Sequence, residues 1–264
     1  MSLSTAKTKG RPIARILYTA SGELNKRRKK FLYLDEKGDE NSSWEIDESV
    51  GMKGLSVLPN ENICEKLYVT GPSNSGKSTY TGNYLGEFFK IKKFKKYNYI
   101  VFSNVKEDKV LDMINGRIEP VRPDIDYTLL EDFPESEEFE KSITVFDDCG
   151  TITNRQLNKA VCAIQDDLLE CGRHVDAHMI VTSHLMSNYI TTRKVLNEAT
   201  SITFFPKSGA TIQIRKFLAS HIGLDKDQIK KIMKLPSRWV TVYRTYPMYV
   251  IHNKGCFMLS SMDD

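Results

Sequence analysis

LYVTGPSNSGKSTY, residues 67–80, sets Gly71, Gly76, Lys77 and Ser78 in the spacing G-x-x-x-x-G-K-S. A loop of that spacing cradles phosphate where a strand runs into it and a helix leaves it. Both flanks are present: KLYVT supplies the strand, and STYTGNYLGEFF continues from the loop as a helix. Gly71 and Gly76 permit the tight turn and leave room for phosphate. The expected nucleotide-binding stretch is therefore Gly71, Pro72, Ser73, Asn74, Ser75, Gly76, Lys77, Ser78 and Thr79. Backbone N–H groups of residues 73–77 would point at the β-phosphate, Lys77 would neutralise the β and γ oxygens, and the Ser78 hydroxyl would ligate Mg²⁺. ATP and Mg²⁺ are the expected cofactors.

Outward from this loop, short apolar runs alternate with longer helical periods. Candidate strands are KLYVT, YNYIVFSN, SITVFDD, AHMIVTSH and SITFFP. Between the third and fourth, Leu157, Val161, Ile164 and Leu168 recur at helical spacing, which predicts a helix over 153–171 with Arg155, Asn158 and Lys159 outward. Strand and helix in alternation argue for an α/β domain with a central, mostly parallel sheet. The tail reads as two helices, IQIRKFLASHIG and DKDQIKKIMKL, and then a hairpin. Before residue 61 the apolar runs are short and separated by polar, Gly-containing stretches, which predicts a small β-rich appendage over 1–60 on a P-loop domain over 61–264.

With 264 residues, 40% hydrophobic and 27% charged, the chain can bury a sizeable core. No apolar stretch approaches the roughly 20 residues that span a bilayer, and the basic N-terminus lacks the pattern of a secretory signal. The expected protein neither spans a membrane nor is secreted. Five cysteines without a C-x-x-C pair fit a reducing compartment. The net charge of +4 is mild, with lysines and arginines bunched in KRRKK (26–30) and KIKKFKK (90–96).

The chemistry continues in SITVFDDCG. Asp147 ends an apolar run expected to lie beside the P-loop strand, where a carboxylate holds Mg²⁺. Asp148 follows it and can polarise an attacking water, the general-base role that a hydrolase needs and a kinase does not. The strand candidate over 97–104 intervenes between P-loop and Asp147, as in the additional-strand, RecA-like branch of P-loop proteins. In ECGRHVDAHMIVTSH, Thr182, Ser183 and His184 end a strand near the expected γ-phosphate. Arg173 precedes that strand and reads either as an arginine finger for a neighbouring subunit's nucleotide or as a surface arginine at a helix C-terminus. Cys171, His174 and His178 have zinc-like spacing but no evident fourth ligand, so the histidines read as structural.

GPSNSGKS, ITVFDD and GRHVDAHMIVTSH, in this order, resemble the poxvirus-type genome-packaging ATPases of large DNA viruses, within the FtsK and HerA superfamily. The resemblance covers roughly residues 64–254. It implies an ATP-hydrolysing, homo-oligomeric ring of five or six subunits that translocates double-stranded DNA into a viral capsid, with capsid proteins as partners. The implied site of action is the host cytoplasm or a virus assembly site, or the virion. Carried onto this chain, the resemblance makes Lys77 and Ser78 the phosphate and Mg²⁺ ligands, Asp147 the metal acid, Asp148 the catalytic acid, Arg173 the finger and Ser183 or His184 the sensor. Many motors of the superfamily have Glu where Asp148 stands, and the bacterial FtsK type places Gln near His184. Asn154, Arg155 and Lys159, in a loop over 151–159, are the expected DNA contacts. A nucleotide or small-molecule kinase and a non-hydrolysing, nucleotide-dependent assembly protein are the alternatives.

Overall fold

The computed structural model describes residues 2–6, 10–19, 30–35, 42–184, 186 and 192–259. Of the KRRKK cluster only Lys30 falls within them. The chain divides into two compact units, residues 1–60 with 203–264, and residues 61–202.

In the first unit, β1 (Ser2–Ser4), β2 (Arg11–Tyr18), β3 (Phe31–Asp35) and, after the short β4 (Ser43–Glu45), β5 (Met52–Val57) supply one antiparallel sheet in the order β1-β3-β2-β5. Alternation along these strands turns Ile16, Leu32, Leu34, Leu55 and Val57 into its core.

The second unit contains β6 (Lys66–Thr70), α1 (Lys77–Phe88), β7 (Asn98–Ser103), α2 (Thr128–Glu131), β8 (Ser142–Asp147), α3 (Arg155–Cys171), β9 (Ala177–Ser183) and α4 (Arg193–Glu198). Its strands run parallel in the order β6-β9-β8-β7. Both faces of these strands are covered, which is why they read as continuous apolar runs. The register pairs Thr70 with Ser183 and Ser103 with Asp147, so the strands end together along one C-terminal edge. One expectation is corrected: the acid strand β8 is not beside the P-loop strand. β9 lies between them, and the strand that intervenes in sequence, β7, is on the far side of β8. Sequence order cannot show this, because a crossover helix lets a strand skip a position in the sheet.

The unit boundary falls within β10 (Ser201–Phe204). The tail forms α5 (Thr211–Phe217), extended by a wide turn over Leu218–Ile222, then α6 (Lys226–Lys234), β11 (Val240–Tyr243), β12 (Tyr249–His252) and β13 (Gly255–Met258). The expected hairpin is β12-β13; β11 and β4 flank it to make an antiparallel run of four.

Local chemistry explains the elements of the second unit. Asn154 caps α3 by accepting the N–H groups of Gln156 and Leu157, and Leu157, Val161, Ile164 and Leu168 form its buried face. On α1, Gly82 and Gly86 let the chain after β7 approach closely: a Cβ at Gly82 would stand 2.5 Å from Val110 Cγ1. In the 90–96 cluster Phe94 is buried and stacked on Phe88 at 4.2 Å, which leaves Lys92, Lys95 and Lys96 exposed. Lys90 pairs with Glu87, and Lys93 with Asp176. Among the described residues no helix is long and apolar enough to cross a membrane.

His178 is buried in β9 between Phe88 and Phe94, with ring centroids 5.0 and 4.8 Å away, and its Nδ1 accepts the Glu65 N–H. Burial lowers its pKa to about 4 against an opposing pull from Asp176, and burial does the same to His252 in the other unit. The unfolded rings take up protons near pH 6.5 that the folded rings refuse until about pH 4. Stability present above pH 6.5 is therefore lost as pH falls through this window, at about 1.4 kcal/mol per unit for each ring. Urea unfolding of wild type and His178→Phe between pH 5 and 7 is expected to show a shallower dependence in the variant. An unchanged slope would assign the pH dependence elsewhere.

Candidate functional site

The loop after β6 is held at both ends. Gly71 donates its N–H to Ser183 O at 3.0 Å, and Ser75 donates to Pro72 O at 3.2 Å. Asn74 (φ 63°) and Gly76 (φ 111°) take left-handed conformations, the first tolerated by Asn and the second suited to glycine. Gly76 is the N-cap of α1 and contributes no side-chain cap, and no acid stands in the first turn. The leading N–H groups and the positive end of the helix dipole are thus left for an anion.

Lys77 is buried, and its ammonium is ringed by Gly71 O at 3.2 Å, His184 Nδ1 at 3.1 Å and Asp148 Oδ2 at 3.4 Å. An ammonium only donates, so His184 Nδ1 accepts and the ring proton sits on Nε2. Nε2 then donates to Asp148 Oδ2 at 3.0 Å. The other oxygen, Asp148 Oδ1, is buried with no hydrogen-bond partner among the described residues.

Asp147 is buried, and its carboxylate accepts hydrogen bonds from Thr182 Oγ1 at 2.8 Å and Ser103 Oγ at 3.3 Å. Desolvation pushes its pKa upward, opposed by the Thr182 hydrogen bond. A cation would relieve that desolvation. Ser78 and Asp147 are hard oxygen donors of the type that suits Mg²⁺, so the residues present fit that ion. Beside Asp148 and His184, a cavity of about 200 Å³ is lined by Tyr68, Asn158, Cys162, Gln165 and Thr192 among others.

Lys77, Asp147, Asp148 and His184 come together, and Ser183 joins them through its carbonyl. Arg173 does not: it is exposed on the turn Gly172–His174 that precedes β9. The seven residues of β9 separate that end of the sheet from the site, a rise of about 20 Å. Arg155 and Lys159 are exposed, but the expected loop over 151–159 is corrected: both stand in the first turns of α3 because Asn154 starts the helix there. Asn154 spends its side-chain oxygen on that cap and donates its amide to Tyr127 Oη at 3.2 Å.

One contributor lies outside the sequence reading and another sits differently than expected. Ser103 belongs here because β7 and β8 end in register, a signal available only once their pairing is known. Thr182 was grouped with the γ-phosphate-facing residues, yet it is buried with its hydroxyl turned to the two acids.

No family model matches the chain. It is 37% identical over 230 residues to the uncharacterized protein V3 of Sputnik virophage, covering 86% of this chain and 89% of that protein. Among solved structures it is similar to B204, the DNA-packaging ATPase of Sulfolobus turreted icosahedral virus, at 15% identity and a TM-score of 0.49, over 72% of this chain and 98% of that one. It is also similar to the pCW3 conjugation coupling protein TcpA in a form with ATPγS, at 11% identity and a TM-score of 0.46, over 92% of this chain and 75% of that one.

Proposed function

This chain belongs to the family of the Sputnik virophage protein V3, and we propose that it is an ATP-hydrolysing motor that moves double-stranded DNA into a viral capsid. The hydrolase half rests on one observation above all: Lys77 and His184 converge on Asp148 Oδ2 at the N-terminus of α1, while Asp148 Oδ1 stays unpaired. A half-buried carboxylate so held, beside a phosphate-binding lysine, suits the removal of a proton from an attacking water. Lys77 and the N–H groups of the loop hold the phosphate oxygens; His184, or Ser183 beside it, senses the terminal phosphate. When bound, Mg²⁺ held by Ser78 and Asp147 supplies further neutralisation of phosphate charge.

The packaging half rests on the resemblance of GPSNSGKS, ITVFDD and GRHVDAHMIVTSH to the packaging motors. In this reading the chain acts as a homo-oligomeric ring of five or six in the infected cell or at the assembly site, with capsid proteins as partners. Arg173, remote from its own Lys77, serves a neighbour's nucleotide, which makes hydrolysis depend on assembly. Arg155 and Lys159, exposed at the start of α3, grip the phosphate backbone without reading bases.

The test is ATPase rate against protein concentration, with and without double-stranded DNA. Specific activity is expected to rise with concentration and with DNA, and Arg155→Ala to weaken the DNA response and its salt dependence. A specific rate independent of both variables would remove the motor and the trans finger together.

A further inference from the structure

The end of β9 and the residue after it meet the site through three consecutive residues: Thr182 reaches the acids, Ser183 O holds Gly71 N–H, and His184, just past the strand, bridges Lys77 and Asp148. Thr182 is 3% exposed and has one hydroxyl proton to give. It donates that proton to Asp147 Oδ1 at 2.8 Å and accepts the Asp148 N–H at 3.0 Å. One hydroxyl therefore serves both acids at once.

The second of these bonds acts on a constrained backbone. Asp148 lies in the left-handed region, φ 46° and ψ 35°, where the chain turns out of β8. Asp reaches this conformation more readily than most L-residues, and a hydrogen bond to its N–H holds it there. The N–H bond to Thr182 fixes the turn, and the turn aims the Asp148 carboxylate at Lys77 and His184. The first bond fixes the rotamer of Asp147, leaving its second oxygen to the weaker 3.3 Å contact with Ser103. β9 can do this because it is the strand lying between β6 and β8.

We propose that Thr182 is a positioning residue whose hydroxyl sets the metal acid Asp147 and the catalytic acid Asp148 in a fixed mutual geometry. The role builds on the ATPase reading, and it distinguishes two residues of one strand end: His184 faces the lysine and phosphate side, while Thr182 orders the acids from the strand between. Valine at 182 keeps the shape and removes the hydroxyl, leaving Asp148 N–H and one Asp147 oxygen without their partner. Serine keeps the hydroxyl and loses only a methyl group.

The experiment measures binding of a fluorescent ATP analogue with and without Mg²⁺, together with turnover, for wild type, Thr182→Val and Thr182→Ser. In Thr182→Val the Mg²⁺-free affinity is expected to hold, while the tightening brought by Mg²⁺ and the kcat each fall by about 10–100-fold, as for the loss of a partner that orients a metal ligand. Thr182→Ser is expected to restore both. Thr182→Ala replaces the valine variant if the latter does not fold. A Mg²⁺ response and kcat unchanged by loss of the hydroxyl would overturn the role, and so would a serine variant as impaired as the valine one, since packing would then be the cause. If wild type binds nucleotide without turning it over, the hydrolase reading fails while the Mg²⁺ arm still judges Thr182.

Discussion

Asp148→Asn is expected to lower ATP turnover by about 10²–10⁴-fold, the range lost with a general base, while ATP binding persists. The substitution is close to a pure removal of charge. Asn tolerates the left-handed backbone of position 148 as Asp does, so the turn out of β8 and its N–H bond to Thr182 can survive. The amide oxygen can still accept from Lys77 and His184. What is lost is the capacity to take a proton. Removing a negative charge beside the phosphates also lowers electrostatic repulsion, so affinity is expected to be equal or higher. Phosphate release measured beside equilibrium nucleotide binding checks both halves. Turnover at the wild-type rate would strip Asp148 of its role, and loss of binding as well would point to a collapsed loop. The same backbone offers a reason for Asp at this position, since the longer Glu lacks the local hydrogen bonding that makes left-handed conformations accessible to Asp.

Lys77→Ala is expected to cost about 10²–10³-fold in kcat, the scale for removing one charged donor from developing charge, with a marked loss of nucleotide affinity besides. Lys77 is buried and central: it meets the loop through Gly71 O, the Asp148 carboxylate directly and the end of β9 through His184. Alanine therefore removes the expected phosphate contact and leaves the half-buried Asp148 carboxylate with His184 as its remaining partner. Affinity and turnover are expected to fall together, unlike Asp148→Asn, where only turnover falls. Wild-type affinity in Lys77→Ala would mean that nucleotide binds elsewhere, against the loop reading itself. Because Lys77→Ala alone is expected to lower affinity, the pair separates failure to hold phosphate from failure to activate water.

Much of this was legible in the residues. G-x-x-x-x-G-K-S states its own local fold, since positive φ at position 76, free N–H groups at a helix start and a lysine next in line are matters of neighbouring residues. Each strand of the second unit was visible as an apolar run, and α3 as a helical stripe over 153–171. Asp147 and Asp148 were visible as carboxylates closing such a run. The loop expected at residues 151–159 gave way to helix because a single Asn side chain, capping two N–H groups, brings the start of α3 to Arg155.

The order of strands was not legible. Sequence alone determined that a phosphate loop, two acids and a polar strand end exist, and that each sits at the C-terminus of a strand, because those are short-range properties of composition and period. Only the tertiary structure decided that β9 lies between β6 and β8. From that one placement follow the bridge of His184 between Lys77 and Asp148, the hold of Thr182 on both acids, and, through the register of β7 with β8, the approach of Ser103 to Asp147. The physical reason is that parallel strands are joined by crossovers, so neighbours in the sheet are chosen by packing of helices and side chains across the whole unit and not by succession along the chain.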